Sequence, residues 1–476
     1  MRATAVVLSG LSLLTLSACG GDDKASKTAA NAGSGGSAGS AMGGGSGMAT
    51  GGTSTGGSGA MSGASGTGGR GGTSSTGGST STGGSGNVGG GDVDPLPPPT
   101  DPITCDREFG TATTPDDTPA DQIGRWVNVT PAGIDFEGGS VNVRDMADTV
   151  LVDRARPSDV YVNMTVNGIW KSTDYGRTFT KINTGANGDS VQTGYAWYAA
   201  IDRNACRDPQ TPPVIYITQG FGSMGLWRSL DGGVSWGNVW SNNIFSEDGQ
   251  QNISSDVGGD IGSIHLVELG PHHLVASLHG YFGNDGNNGV FESFDGGGRW
   301  IVKKSSQFAF QPHNDVLFPI NATDWWVVPG TISERLTMFH TTDAGATWTN
   351  RGNTPGRSIG RQWAFSGSRV YAGTDYNDGV YRLSESGDSW NRLGNFGNVS
   401  WVVATGTRVY ASAGQDFGPI PTFYSAPLSD DTNWTSQAGP SGMDGNGHDA
   451  AVTTDGSRYV IIAPQHTAGI WRYVEP

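Results

Sequence analysis

The sequence predicts an all-β fold, a seven-bladed β-propeller with four-stranded blades, and three observations lead to it. A pattern of about twelve residues, characteristic of a tight hairpin, recurs along residues 168–476. Two alternating apolar strands precede each copy, as TVLVDR and DVYVNM precede the first, and Gly-rich turns separate them. The last copy lacks a hairpin partner, whereas an unpaired strand lies ahead of the first, which indicates that the two ends meet.

The repeated pattern is an apolar strand end, Ser or Thr, Asp two residues later, Gly two further on, and then an aromatic residue. Its four full copies are GIWKSTDYGRTF at 168–179, GLWRSLDGGVSW at 225–236, GVFESFDGGGRW at 289–300 and TMFHTTDAGATW at 337–348. An Asp at such a corner accepts hydrogen bonds from the following backbone N–H groups, and Gly reaches backbone angles that strain other residues. Each copy is therefore predicted to be a β-hairpin, with four structural turn formers: Asp174, Asp231, Asp295 and Asp343.

Three weaker copies complete the count of blades. GVYRLSESGDSW at 379–390 has Glu385 in place of Asp, TFYSAPLSDDTNW at 422–434 has a longer turn, and GIWRYVEP at 469–476 has only the first strand. GRWVNVTP at 124–131 resembles the strand that follows the turn in the full copies. We expect it to complete the seventh blade and close the ring, which removes exposed sheet edges. Six or eight blades remain the alternatives.

The copies of the repeated pattern resemble the Asp-box, or BNR repeat, of the sialidase superfamily, which occurs in sialidases, two-propeller xyloglucanases and photosystem assembly factors. The resemblance implies a propeller that acts on carbohydrate or serves as an assembly scaffold. The sialidases' Arg-Ile-Pro segment and arginine triad have no clear counterpart here. The xyloglucanases bind substrate between two propellers and place an acid in a Thr-Asp-x-Gly loop, but this single propeller has Thr165, Val166, Asn167 and Gly168 there. The missing carboxylate argues against xyloglucanase activity.

The front of the chain is predicted to be an export and tethering region. Residues 1–18 read as a signal peptide, and Leu16, Ser17, Ala18 and Cys19 resemble a bacterial lipobox, which implies a lipid on Cys19. An ordinary signal peptide cut elsewhere is the alternative. Residues 19–100, rich in Gly, Ser and Thr, are expected to be a disordered tether, 101–123 a lead-in segment, and 124–476 the propeller. We therefore expect a protein of the bacterial cell envelope, periplasmic or at the cell surface, that meets the membrane only through its lipid.

Cysteine and charge narrow the chemistry. With Cys19 lipidated, Cys105 and Cys206 are left in an oxidising compartment, and a disulfide between them is the simplest outcome. No Cys or His spacing indicates a metal site, and no cofactor is expected. The net charge of −16 falls entirely on residues 101–476. Nucleic acid is an unsuitable partner and polyanionic glycans are disfavoured, because both are negatively charged. We also expect the protein to be a monomer.

Propeller ligands usually lie at a central mouth formed by the loops between blades and the loops joining the second and third strands of a blade. Candidate ligand-binding residues in those loops are Tyr195, Trp197, His279, Tyr281, His313, Arg361, Trp363 and His448, and other polar or aromatic residues there are Asp148, Asn163, Gln219, Asp375–Asp378, Trp401, Asp449 and His466. Aromatic rings stack on sugar faces and carboxylates accept hydrogen bonds from hydroxyl groups. This combination favours a neutral polysaccharide.

Whether the chain is an enzyme stays open at this point. An inverting glycoside hydrolase needs two carboxyl groups about 6.5–9.5 Å apart. The candidates are Asp145, Asp256, Asp260 and Asp444. A polysaccharide lyase that uses His279 as base with Tyr281 is a weaker interpretation. The alternative from another class is a non-catalytic scaffold that binds a protein partner at its mouth.

Overall fold

The computed structural model describes residues 105, 107–134, 136, 147–192, 198–219, 225–240, 243–254, 257–260, 266–270, 272–277, 279–282, 289–304, 316–328, 337–353, 363–374, 379–387, 389–414, 420–443, 447 and 449–476. The predicted signal peptide and tether therefore lie outside the described residues. Strands dominate the described part. Its helices are three short 3-10 segments: Ala120–Gln122, Thr165–Asn167 and Ser190–Gln192.

The first three blades follow the chain order. Blade 1 consists of β2 (Ala147–Val152), β3 (Val160–Met164), β4 (Gly168–Ser172) and β5 (Thr180–Lys181). Blade 2 consists of β6 (Ala199–Ile201), β7 (Ile215–Gln219), β8 (Gly225–Ser229) and β9 (Gly237–Asn238). Blade 3 consists of β12 (Leu266–Gly270), β13 (His273–Ala276), β15 (Gly289–Ser293) and β16 (Trp300–Lys304). In each blade the first strand is innermost.

The last four blades repeat the arrangement. Blade 4 consists of β17 (Val316–Pro319), β18 (Trp325–Val328), β19 (Thr337–Thr341) and β20 (Thr349–Asn353). Blade 5 consists of β21 (Trp363–Ser366), β22 (Arg369–Thr374), β23 (Gly379–Leu383) and β24 (Trp390–Gly394). Blade 6 consists of β25 (Val399–Ala404), β26 (Arg408–Ala413), β27 (Thr422–Pro427) and β28 (Thr435–Ala438). Blade 7 consists of β29 (Ala451–Thr454), β30 (Tyr459–Gln465), β31 (Gly469–Val474) and β1 (Trp126–Asn128).

The predicted fold class is confirmed, including the closure of the ring. The N-terminal strand β1 pairs antiparallel with β31, the last strand of the chain, and Trp126 lies opposite Tyr473. Val129 extends the pairing by donating its backbone N–H to the carbonyl oxygen of Ile470 at 2.9 Å. Because β1 supplies the outer strand that the last repeat lacks, the seventh blade is complete only when both ends of the propeller come together.

The four repeated turns share one set of hydrogen bonds. In the first, the Ser172 hydroxyl donates to Asp174 Oδ1 at 2.7 Å and accepts the backbone N–H of Gly176 at 2.8 Å. Asp174 Oδ1 also accepts the backbone N–H of Thr178 at 2.9 Å. Equivalent bonds surround Asp231, Asp295 and Asp343. Gly176 has φ +79°, and a Cβ there would meet Ile462 of blade 7 at 2.8 Å, so both the turn and the neighbouring blade require glycine.

Blade 3 departs from the predicted four strands. A fifth strand, β10 (Ile244–Phe245), pairs parallel with the outer strand β16. A separate two-stranded ribbon consists of β11 (Val257–Asp260) and β14 (His279–Phe282), which pair antiparallel. In the chain, β11 precedes the first strand of blade 3 and β14 follows the second. The sequence did not indicate either element, because both are short and neither contains the repeated box.

The core lies between the blades. Neighbouring sheets bury apolar faces against each other, and Tyr216, Leu274, Phe291 and Trp300 form one such cluster between blades 2 and 3. Two rims result from this packing. We call the rim with the loops between blades and between second and third strands the mouth face, and the opposite rim, which bears the repeated Asp turns, the turn face.

The lead-in segment runs along the turn face of three blades. Cys105 and Cys206 form a disulfide with a Cα–Cα distance of 5.7 Å, and Cys206 lies between the first two strands of blade 2. Gly110 donates its N–H to the carbonyl oxygen of Arg154 in blade 1. Asp116, with its side chain fully buried, pairs with Arg472 of blade 7 at 2.6 Å. The lead-in segment is therefore attached to blades 1, 2 and 7 before the chain enters β1, the strand that closes the ring.

Candidate ligand site on the ring axis

A cavity of about 660 Å³ lies at the centre of the ring. The innermost strands of blades 1, 2, 5, 6 and 7 contribute to its wall, together with two residues of the lead-in segment. Its aromatic side chains are Phe109, Trp363 and Phe365, and its charged ones are Glu108, Arg154, Arg203 and Asp449. The cavity is within the size range of ligand sites.

The charges of this wall balance. Among the described lining residues, two acidic side chains face two basic ones, although the chain as a whole carries −16. Burial lowers the pKa of Arg154, and the neighbouring carboxylate of Glu108 acts in the opposite direction. Such a wall offers both hydrogen-bond donors and acceptors without a net field. That combination suits an uncharged polar ligand better than a polyanion.

The two ends of the cavity differ. Trp363 and Asp449 begin or precede innermost strands and lie at the mouth end, where Asp449 Oδ2 accepts the backbone N–H of Val150 at 3.0 Å. Phe109 lies at the turn-face end, with the Arg154 guanidinium 6.0 Å from its ring centroid. The lead-in segment thus places an aromatic ring and a carboxylate at this end of the cavity.

Three predicted site residues meet on the β11–β14 ribbon. Asp260 lies directly opposite His279, and Gly258 lies opposite Tyr281. The ribbon is at the mouth end of blade 3, since β11 precedes the first strand of that blade and β14 follows the second. Asp260 and His279, which the sequence selected independently, therefore occupy opposed backbone positions of this ribbon.

Most of the other candidates lie outside the described residues. These are Cys19, Asp145, Tyr195, Trp197, Asp256, His313, Arg361, Asp375–Asp378, Asp444 and His448. Trp363 is described, half-buried in β21, and packs against Phe318 and Trp390 while it lines the cavity. Asp148 lies within β2.

Four residues expected in loops of the mouth are instead part of the strands or buried beside them. Asn163 lies within β3, Gln219 ends β7, His466 follows β30 and Trp401 lies within β25. All four are at most 4% exposed. The strands extend further toward the mouth than the repeats suggested, so these side chains pack between blades and do not present themselves to a ligand.

The cavity residues that the sequence reasoning missed come mainly from the lead-in segment and from the turns after the inner strands. Glu108 and Phe109 carry no motif, and they reach the axis because the disulfide and the hydrogen bond from Gly110 to Arg154 hold the lead-in segment there. The signal that could have located them is the predicted Cys105–Cys206 bond, since residues two to four positions beyond a bridged cysteine must lie near the partner loop.

No family model matches the sequence. A xyloglucanase, Xgh74A of Acetivibrio thermocellus, is 24% identical over 250 residues, which cover 45% of this chain and 26% of that protein. A xyloglucanase of Paenibacillus sp is 30% identical over 111 residues, covering 21% of this chain and 11% of the relative. The chain therefore matches about a quarter, or less, of the length of these relatives.

Similar solved structures have low sequence identity to this chain and TM-scores below 0.5. The GH74 enzyme of Niastella koreensis is 16% identical and has a TM-score of 0.48, and the match covers 69% of this chain and 52% of the enzyme. YCF48 from Cyanidioschyzon merolae is 11% identical and has a TM-score of 0.45, and the match covers 73% of this chain and 98% of YCF48. A structure of YCF48 bound to D1 peptide has a TM-score of 0.47, with 12% identity over 74% of this chain and 97% of that one. The chain is a seven-bladed β-propeller that resembles GH74 xyloglucanases and YCF48-like propellers.

Among the described residues, no helix has the length and apolar character needed to cross a bilayer. The same residues contain no group of three or more His, Cys, Asp or Glu side chains placed to hold a metal ion.

Proposed function

We propose that this propeller binds a neutral polysaccharide at its mouth, with the axial cavity receiving part of the chain. The observation that carries the proposal is the cavity itself, which combines three aromatic side chains with a charge-balanced set of hydrogen-bonding groups. Aromatic rings favour sugar rings, and paired donors and acceptors suit hydroxyl groups, which both donate and accept. The partial likeness to xyloglucanases supports a plant-type glucan as the first substrate class to try.

Binding without hydrolysis is the form of this function that the first blade supports. Residues Thr165–Asn167 form a 3-10 turn without a carboxylate, and the Asn167 carbonyl oxygen accepts the indole N–H of Trp170 at 3.1 Å. This is the loop where the xyloglucanase resemblance requires an acid. Asp260, which lies opposite His279 in the ribbon register, is the carboxylate candidate that the test for hydrolysis addresses.

We also propose that the propeller is held at the bacterial cell envelope by a lipid on Cys19, with residues 20–100 as its tether. The composition of that region and the lipobox-like tetrapeptide support this location. A tethered binding module would keep polysaccharide near the cell.

The test uses the full-length chain in affinity electrophoresis with xyloglucan, mixed-linkage glucan and galactomannan, followed by an assay for new reducing ends. Trp363→Ala is expected to weaken binding at least tenfold, because the side chain lines the cavity. Trp434→Ala is the matched control: Trp434 is also half-buried, but it packs against Phe396 in a different cluster and does not line the cavity. Equal effects of the two substitutions, or no binding to any of the three polymers, would contradict the proposal.

New reducing ends that disappear in Asp260→Asn would make the protein a glycoside hydrolase. Binding without product would make it a lectin-like module. If the chain binds none of the polymers and captures a protein partner through its mouth, the scaffold interpretation replaces ours.

A further inference from the structure

A second cavity, of about 560 Å³, lies far from the axis, in the seam between blades 6 and 7. Its wall includes Trp126 of the closing strand, Tyr473 of β31, and residues of β26, β27 and β28. Thr407 and Arg408 at the first turn of blade 6, and Pro427 and Thr435 at its last turn, place it toward the turn face. We call it the seam groove.

The seam groove exists because the two blades are unequal at their outer edges. Blade 7 ends in β1, which has only three residues, whereas blade 6 ends in β28, where all four residues are exposed. Register puts Tyr410 opposite Ser425 and Ser425 opposite Thr435, so these side chains share the sheet face that looks toward blade 7. The inner part of that face is covered by blade 7, and the outer part is left open.

The floor of the groove is aromatic. Trp126 packs against Phe423 with ring centroids 4.5 Å apart and against Tyr473 at 5.3 Å. Each of these rings is less than a tenth exposed, and the part of each ring that remains accessible lines the groove. Preformed aromatic surface of this kind favours the apolar face of a sugar ring.

One buried carboxylate reaches the groove with an oxygen unused. Glu475 is 6% exposed, and its Oε1 accepts hydrogen bonds from Thr407 Oγ1 at 2.6 Å, Tyr410 Oη at 3.0 Å and Thr405 Oγ1 at 3.4 Å. All three donors meet the same oxygen. Within the described part of the chain the hydrogen bonds to Glu475 all reach Oε1, and Oε2 is not a buried unpaired atom, so it remains accessible from the groove. An accessible carboxylate oxygen is an acceptor that a hydroxyl group of a ligand can reach.

The other wall supplies complementary groups. Arg408 donates to Ser425 Oγ at 2.9 Å and retains further N–H groups, and Gln437 presents an exposed amide that offers both donor and acceptor. Burial, followed by the nearby Glu475 carboxylate, raises the pKa of Tyr410, which keeps its phenol protonated as a donor. The groove therefore has an acceptor-only group, a donor-only group and mixed groups around an aromatic floor.

We propose that the seam groove is a second saccharide-binding site, which takes one or two pyranose units of a neutral oligosaccharide. Hydroxyl groups would donate to Glu475 Oε2 and accept from Arg408 and Gln437, while the ring's apolar face lies on the aromatic floor. The site is on the turn face, so it is separate from the mouth, and a chain bound at both would be held by two faces of one propeller. The inference stands independently of the proposed function at the mouth.

The test is isothermal titration of the full-length chain with cellotetraose, xylotetraose and a xyloglucan heptasaccharide, with tetralysine as the cationic probe. Thr435→Trp, at an exposed position, fills the groove and is expected to weaken saccharide binding at this site at least tenfold. Asn391→Trp, exposed on the outer strand of blade 5, is the matched control and should leave binding unchanged. Glu475→Gln, with melting temperature as a check on folding, should also weaken binding because it removes the free carboxylate oxygen.

The outcomes separate this site from the mouth. If both sites exist, wild type binds two equivalents, Thr435→Trp removes one and Trp363→Ala removes the other. If the mouth proposal fails, one equivalent remains and is sensitive to Thr435→Trp alone. Binding that is unchanged in Thr435→Trp, absence of binding by all three oligosaccharides, or binding of tetralysine alone overturns the proposal.

Discussion

Replacing Asp116 by Ala tests how the ring is held shut. The Asp116 side chain is fully buried and accepts hydrogen bonds from Arg472 Nη2 at 2.6 Å and from Thr118 Oγ1 at 2.8 Å. Its loss leaves the guanidinium of Arg472, only 3% exposed, without its counter-ion. Breaking a buried ion pair by removing one partner costs about 3–5 kcal/mol. We therefore expect the free energy of unfolding to fall by about that amount.

The assay is equilibrium unfolding in urea, followed by tryptophan fluorescence and far-UV circular dichroism. Asp121→Ala is the control, since Asp121 lies in the same segment with an exposed side chain, and should change the free energy by less than about 0.5 kcal/mol. The double variant Asp116→Leu with Arg472→Met should recover most of the loss, because it removes both charges. A loss below about 1 kcal/mol in Asp116→Ala would refute the assignment of this pair as a buried clasp.

Four further predictions concern the disulfide, the closing strand, the turn carboxylates and the proposed lipid anchor. Cys206→Ser should lower the free energy of unfolding by about 2–4 kcal/mol, measured in urea without reductant, because the disulfide closes a long loop. Trp126→Ala should cost about 3–5 kcal/mol by the same assay, since the ring is 7% exposed and packs against Trp401, Phe423 and Tyr473. Hydrogen bonds from Thr347 and Thr341 lower the pKa of Asp343 to about 2, and backbone N–H donation from Asp116 and Arg458 lowers that of Asp455 to about 2 despite its burial. Both carboxyl groups have folded-state pKa values below the unfolded value near 3.9, so the stability that they contribute is present above about pH 4 and is lost as the pH falls toward 2. Thermal melts between pH 5 and pH 2 will detect this loss. Asp343→Asn should flatten the dependence of the melting temperature on pH. Cys19→Ser should abolish incorporation of radiolabelled fatty acid and move the protein from the detergent phase to the aqueous phase.

The turns were accessible from sequence because their bonds are local. Asp174, Asp231, Asp295 and Asp343 each contact a Ser or Thr two residues earlier and backbone groups up to four residues later. The spacing of the pattern therefore contains the geometry. Ring closure could also be predicted, because the last repeat has only its first strand and an unpaired strand precedes the first repeat. The register of that pairing, with Trp126 opposite Tyr473, came from the structure.

The candidate site was accessible only in part. Sequence reasoning selected Trp363, which lines the axial cavity, and Asp260 and His279, which the strand register sets opposite each other. It also selected Asn163, Gln219 and Trp401, which the structure buries between blades. Loop and strand end cannot be separated by residue type when a strand runs two or three residues beyond its apolar pattern.

The sequence by itself determined the repeat and the chemistry of the turns and favoured seven blades, because each of these depends on contacts within a few residues or on the count of strands. Only the tertiary structure decided where unlike segments meet. Phe109 reaches the axis because the lead-in segment crosses three blades, and Glu475 faces Arg408 across a groove because the outer strands β1 and β28 differ in extent. Such sites depend on side chains more than sixty residues apart, and no local pattern in either segment specifies the distance between them.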